Sequence, residues 1–155
     1  MRHFDLRLLA DYHQFEVRDS ASLSDLSIGW TEKTVRDLLV VAPDAIGIGT
    51  EGTSYVPVQL LIQEKPDVGS FIEWDQVAEC DICLDSGAIL IIDGETYLPD
   101  ARRIKLDKSG LYRLRIYYGG LGYTHQSKLA SSERYKLVLW PASTAAETVF
   151  LKRWR

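Results

Sequence analysis

A chain of 155 residues with 46% apolar, 26% charged and 10% aromatic residues has the size and composition of one globular domain, which excludes wholesale disorder and fibrous repeats. Two cysteines are too few for a disulfide-stapled scaffold, and apolar runs such as 38–43 and 88–92 fall far short of the roughly twenty residues a bilayer requires. The net charge of −4 is unevenly spread: residues 1–100 carry 19 Asp+Glu against 6 Lys+Arg, and residues 101–155 carry 3 against 12.

The first residues, Met1-Arg2-His3-Phe4-Asp5, lack the uninterrupted apolar core of a secretory signal, so the expected compartment is the reducing cytoplasm. Alternation predicts a half-buried strand over 12–18, with His13, Phe15 and Val17 on the inner face, and His13 is read as a packed core histidine. Residues 19–29 read as a Ser/Asp-rich loop. Val35, Leu38, Leu39 and Ala42 then stand at helical spacing, Thr31 can cap the helix and Pro43 stops it. Strands over 45–50 and 55–63 flank Glu51-Gly52-Thr53-Ser54, which reads as a hairpin turn, and Pro57 marks a sheet edge.

Further strands are predicted over 71–85, 88–93, 102–106, 111–118 and 134–140, and Phe150 and Trp154 are expected to fasten the basic tail to the body. About eight short strands and one short helix define a mostly β protein, an antiparallel sandwich or barrel, in a single domain over 1–155.

The run 71–85 has the clearest geometry. Strand side chains alternate faces, so Ile72, Trp74, Ala78, Cys80, Ile82 and Leu84 share one side. Glu73, Asp75, Glu79, Asp81 and Asp85 share the other, interrupted by Val77 and Cys83. A row of carboxylates is a footprint for docking a basic surface, and these five are the candidate partner-binding residues. The competing account is that the basic strands of the last third pair with this one across a sheet.

Cys80 and Cys83 have the spacing of a metal or redox pair, but no second pair follows and a strand points them to opposite faces. His3, His13 and His125 are isolated, so no catalytic residue, metal site or cofactor is expected. Gly119-Gly120-Leu121-Gly122 lacks the Lys-Ser or Lys-Thr of a phosphate cradle, and 119–133 reads as a mobile loop with room for a contact role. Arg113, Arg115, Arg134 and Lys136 mix with Tyr117 and Trp140 as in single-strand binders, but a pI near 5.4 opposes direct nucleic-acid binding.

Tyr12-His13-Gln14-Phe15, then Trp30-Thr31-Glu32 opening a helix, then residues 42–46 leading into a strand, together resemble the competence protein J family. That family includes an inhibitor of a DNA-entry nuclease, and the resemblance rests on the first 60 residues or so. It implies a small cytoplasmic protein without enzymatic activity that binds a nuclease or toxin with a basic site. Tyr12 and Trp30 are then positioning residues for the strand and helix. The alternatives are a toxin-immunity protein, a small-ligand-binding β-sandwich and an enzyme without a linear motif.

Overall fold

The computed structural model describes residues 1–96, 102–122 and 132–154, which form two facing β-sheets. The first sheet runs, in spatial order, β1 (Arg2–Leu9), β5 (Tyr55–Ile62), β10 (Arg134–Pro141), β9 (Gly110–Gly119), β6 (Gln76–Leu84) and β11 (Val149–Lys152). The second runs β3 (Leu39–Ala42), β4 (Ala45–Gly49), β2 (Gln14–Asp19), β7 (Ala88–Ile92) and β8 (Arg102–Lys105). All neighbouring strands are antiparallel except β5 and β10. Both sheets keep open edges, so the architecture is a sandwich and not a closed barrel.

The core follows from the period of two. Val58, Leu60, Cys80, Ile82, Leu114, Ile116, Leu137 and Leu139 of the first sheet meet Phe15, Val17, Ile46, Ile48, Ile89 and Ile91 of the second, all essentially inaccessible to water. Each such aliphatic side chain contributes roughly 1.5–3 kcal/mol by leaving water. The first sheet also buries part of its outer face, where Trp74, Val77, Tyr117, Val138 and Trp140 form a second cluster under Phe71. Val77 faces Tyr117 across the β6–β9 ladder, which is why it interrupts the acidic side of its strand.

Several expectations change in the folded chain. The helix α1 covers only Glu32–Asp37, capped as expected by Thr31, whose Oγ1 accepts from Thr34 N at 3.2 Å. It ends at Leu38 in a left-handed conformation, and Leu39–Ala42 continues as β3, pairing with β4. The apolar spacing at 35–42 fits helix and strand alike, and a run of Leu-Val-Val-Ala goes to the sheet. Residues 51–54 form no hairpin: they carry the chain from the second sheet to the first, because β4 pairs with β2 and β3 while β5 pairs with β1 and β10. Pro57 lies opposite Arg7 just before the β10 ladder begins at Val58, so the chain is locally an edge there. The strand expected from Phe71 starts at Gln76, after a turn in which Trp74 N donates to Phe71 O. His13 is exposed, not packed in the core, because it belongs to a turn before β2. The tail does fasten: β11 pairs with β6, and Phe150 and Trp154 pack on the core. The expected loop over 119–133 lies mostly outside the described residues.

Asp93 ties the sheets together beyond β7: its Oδ2 accepts from Leu9 N at the end of β1 at 2.8 Å, and Arg102 approaches at 3.8 Å. Burial alone would raise its pKa, but hydrogen bonds from Leu9 N, Thr96 and Glu95 N, with the Arg102 charge, hold it below the ordinary 3.8. A folded-state pKa below the unfolded one gives stability that is complete above about pH 4 and lost as pH falls through the folded value. Urea denaturation between pH 7 and pH 3 is therefore expected to show an acid-sensitive component that Asp93→Asn removes; an identical pH slope in the variant would contradict it.

Candidate functional site

Two of the five acidic residues are held by the basic strand beside them. Glu79 and Asp81 face Arg115 and Arg113 on β9. Asp81 Oδ1 lies 2.8 Å from Arg113 Nη1, and Glu79 Oε1 lies 3.8 Å from Arg113 Nε and 3.6 Å from Arg115 Nη2. Arg113 also donates to the carbonyls of Ala146 at 3.0 Å and Glu147 at 2.7 Å, while Asp81 Oδ2 accepts from Ala146 N. Cross-strand pairing therefore accounts for Glu79 and Asp81. Asp75 is half-buried and accepts from Leu121 N at 2.9 Å. Glu73 and Asp85 are exposed, on either side of the nine-residue strand.

The thiols do point apart. Cys80 lies in the core, where burial pushes its pKa up to about 12, and Cys83 lies on the outer side, so the pair cannot chelate. Among the described residues no three His, Cys, Asp or Glu side chains converge on a metal position, and no helix is long and apolar enough to cross a membrane.

A more distinctive surface lies at the pole of the sandwich where β1, β4, β7 and β9 end and β2, β5, β6 and β10 begin. A single 3-10 turn, Asp11–His13, carries the chain from the first sheet into the second. Tyr12 (φ 54°) and His13 (φ 62°) are both left-handed, a conformation that costs a residue with a Cβ roughly 1–2 kcal/mol. Local bonds and one from the end of β4 hold the turn: His13 N donates to Ala10 O at 3.1 Å, Tyr12 N donates to Asp11 Oδ1 at 3.1 Å, and Thr50 N donates to His13 O at 2.9 Å. The Tyr12 side chain is thereby presented to solvent, 84% exposed.

On one side of Tyr12 is a hollow of about 670 Å³ bordered by His13, Gln14, Trp30, Val35, Leu38 and Glu51 among others. Leu38, the third left-handed non-glycine residue among those described, borders it too. Trp30 is fixed there by its Nε1–H, which donates to Gln14 Oε1 at 2.9 Å. Gly49 lets β4 pass beneath Leu38, since a Cβ there would come within 2.9 Å of the Leu38 Cα. On the other side is a hollow of about 390 Å³ bordered by Asp11, Glu16, Arg18, Asp93 and Thr96 among others. Arg18 is committed to Glu16 at 2.6 Å and to Ser24 O at 2.9 Å. Glu73 and Asp75 belong to this same pole, because the adjoining Gln76 donates to Asp37 O next to Leu38; Asp85 lies at the opposite one. Alternation over 12–18 concealed the turn, and the only local signal for it was Asp11, a turn former, ahead of Tyr12.

The fold defined by these sheets occurs in an enzyme inhibitor. The protein is similar to ComJ, inhibitor of the DNA degrading activity of NucA, from Bacillus subtilis, with a TM-score of 0.64 and 17% identity over 91% of this chain and 98% of that one. A second solved structure, described as Crocagin biosynthetic gene J, gives a TM-score of 0.61 and 13% identity over 91% and 99%. Identities this low establish a shared fold. The likeness spans nearly the whole chain, well beyond the first 60 residues that carry the resemblance in sequence. No protein-family model and no curated protein matches the sequence.

Proposed function

We propose that this chain is a protein-binding inhibitor of a DNA-degrading nuclease, which docks on the nuclease and blocks its nucleic-acid site. The observation that supports this best is the coincidence of fold with such an inhibitor over 91% of one chain and 98% of the other. The chemistry agrees with it. A groove that attracts phosphates is basic, and ordered carboxylates on a partner gain fast, salt-sensitive association with it. Of the five acidic residues, the exposed Glu73 and Asp85 are the proposed contacts, whereas Asp75 is half-buried and accepts from Leu121 N, and Glu79 and Asp81 are paired with arginines. The free thiols Cys80 and Cys83 suit action in a reducing cytoplasm.

The test is inhibition of DNA digestion by the chain with Glu73→Lys, with Asp85→Lys and with both. The double variant is expected to need several-fold more protein for half-inhibition, and the wild-type chain to lose potency as salt rises from 50 to 500 mM. Wild-type potency in the double variant would remove these two residues from the contact. Reversing Glu79 or Asp81 is uninformative about binding, because it would leave Arg113 and Arg115 facing a like charge.

A further inference from the structure

We propose that the flank of the sandwich formed by β3 and β11 is a self-association surface, on which a second copy of this chain docks antiparallel with Val41 at the centre. It stands independently of the nuclease reading.

The two flanks of the sandwich differ in kind. Arg2 of β1 donates to the Lys105 carbonyl of β8, so these two edge strands lie together on one flank. Arg153, just after β11, pairs with Asp37, just before β3, and places the other two edges on the opposite flank. The β1 edge carries Arg2, Asp5 and Arg7 and the β8 edge Arg102, Arg103 and Lys105, charges of the kind that keep a further strand from adding to a sheet. β3 is Leu-Val-Val-Ala, and β11 carries one charge, Lys152, whose Nζ donates to Phe71 O at 3.1 Å. Length does not account for the contrast, since β3, β8 and β11 all have four residues. Among the described residues, the large apolar side chains exposed within strands are Val41, Val149 and Leu151, at 40%, 39% and 40%. All three belong to the β3 and β11 edges.

Backbone and charge together select the occupant. Gly49 N donates to Leu38 O at 2.9 Å, so the bonded pairs between β3 and β4 fall at Leu38, Val40 and Ala42. The N–H and C=O of Val41 therefore point to the open edge, where an extended strand satisfies both. Charge decides which strand. At the Tyr12 end of the flank, Lys33, Arg36, Lys152 and Arg153 outnumber Glu32 and Asp37, and Asp37 is buried and held by Lys33 and Arg153. At the other end stand Asp44 and Glu147, while Arg18 is committed to Glu16 and Arg113 to Glu79 and Asp81. The flank is thus basic at one end, apolar in the middle and acidic at the other. A two-fold axis in the plane of the flank, perpendicular to the strands, sets β3 against β3 and β11 against β11 in antiparallel order. Each basic end then meets an acidic end, the apolar centres meet each other, and both sheets run on through the dimer.

The test is sedimentation velocity of the full chain from about 1 to about 200 µM, with Val41→Lys, Leu151→Lys and Arg36→Glu beside the wild type. The wild type is expected to move from 17.6 kDa toward twice that mass as concentration rises. The three variants are expected to need roughly tenfold or more protein for the same dimer fraction. Val41→Cys gives a readout that does not depend on weakening anything: bonded antiparallel pairs bring Cα atoms about 5.5 Å apart, within disulfide reach, so mild oxidation is expected to link two copies. Lys105→Cys, on the charged flank, is expected to stay unlinked. A wild type that remains at 17.6 kDa over the whole range would overturn the proposal. Loss of nuclease inhibition by a monomeric Val41→Lys would then give the flank to the nuclease instead. Dimers that persist in Val41→Lys and Leu151→Lys, or Lys105→Cys linking as readily as Val41→Cys, would overturn it as well.

Discussion

Replacing Arg113 with alanine is expected to destabilise the fold by about 3–5 kcal/mol, the loss typical of removing one partner from a buried ion pair. The side chain is 9% exposed, and it contacts Glu79, Asp81 and the carbonyls of Ala146 and Glu147. Without it Glu79, 12% exposed, keeps Arg115, Asp81, 20% exposed, keeps the Ala146 N–H but loses its guanidinium, and two carbonyls that pin the segment before β11 lose their donor. Arg113→Lys keeps the charge but not the fork of donors, so it is expected to fall between alanine and wild type. Urea denaturation followed by near-ultraviolet circular dichroism measures the difference. A loss below about 1 kcal/mol would place this network with ordinary surface salt bridges.

Gly120→Ala is expected to cost about 3 kcal/mol, read in the same denaturation experiment. Gly120 has φ +68°, and a Cβ there would lie 1.9 Å from the Ser132 carbonyl oxygen, a backbone atom that no rotamer change can move. Left-handed strain and displacement of residues 132–133 add together. The consequence reaches the Tyr12 pole, because Glu133, buried beside Tyr135, accepts from Glu51 N at 3.0 Å and Gly52 N at 2.7 Å where the chain crosses between sheets. Gly120→Ala is therefore also expected to loosen the Glu51 side of the larger hollow. Retained stability would mean that the two loop ends can part without disturbing the sheets.

The strands that the sequence reveals best, β7, β9 and β10, are those whose alternation or continuous apolar run is set by burial in the sandwich centre. No strand is expected over β1 from the sequence: Phe4, Leu6 and Leu8 alternate, but Arg2, Asp5 and Arg7 interleave charges that weaken the pattern at this sheet edge. The expected helix runs past its end because Leu38, Leu39 and Ala42 satisfy two periods at once, and pairing with β4 decides between them. Turn residues at 51–54 announce a reversal but not which sheet receives the chain.

The candidate site divides along the same line. Alternation placed the acidic residues of β6 on one side, and the opposite charge of the two parts of the chain contained the pairing of Glu79 and Asp81 with Arg115 and Arg113. Choosing between a docking face and an ion-paired one required the register of two strands more than thirty residues apart. Tyr12 was legible as a motif residue but not as an exposed one, since left-handed backbone at Tyr and His leaves no mark in composition. The turn that holds it is closed by His13, whose N–H donates to Ala10 O and whose carbonyl accepts from Thr50 N, the latter a contact that the assembled sheet ends provide.

The function proposed for this sandwich is inhibition of a nuclease by binding it. Titrating the purified chain into a fixed amount of the source cell's DNA-degrading nuclease, with digestion of linear DNA as the readout, tests it most directly. The account predicts that digestion falls to baseline near one chain per nuclease at low salt and recovers as salt is raised. Digestion that continues at its full rate with the chain in large excess would contradict it.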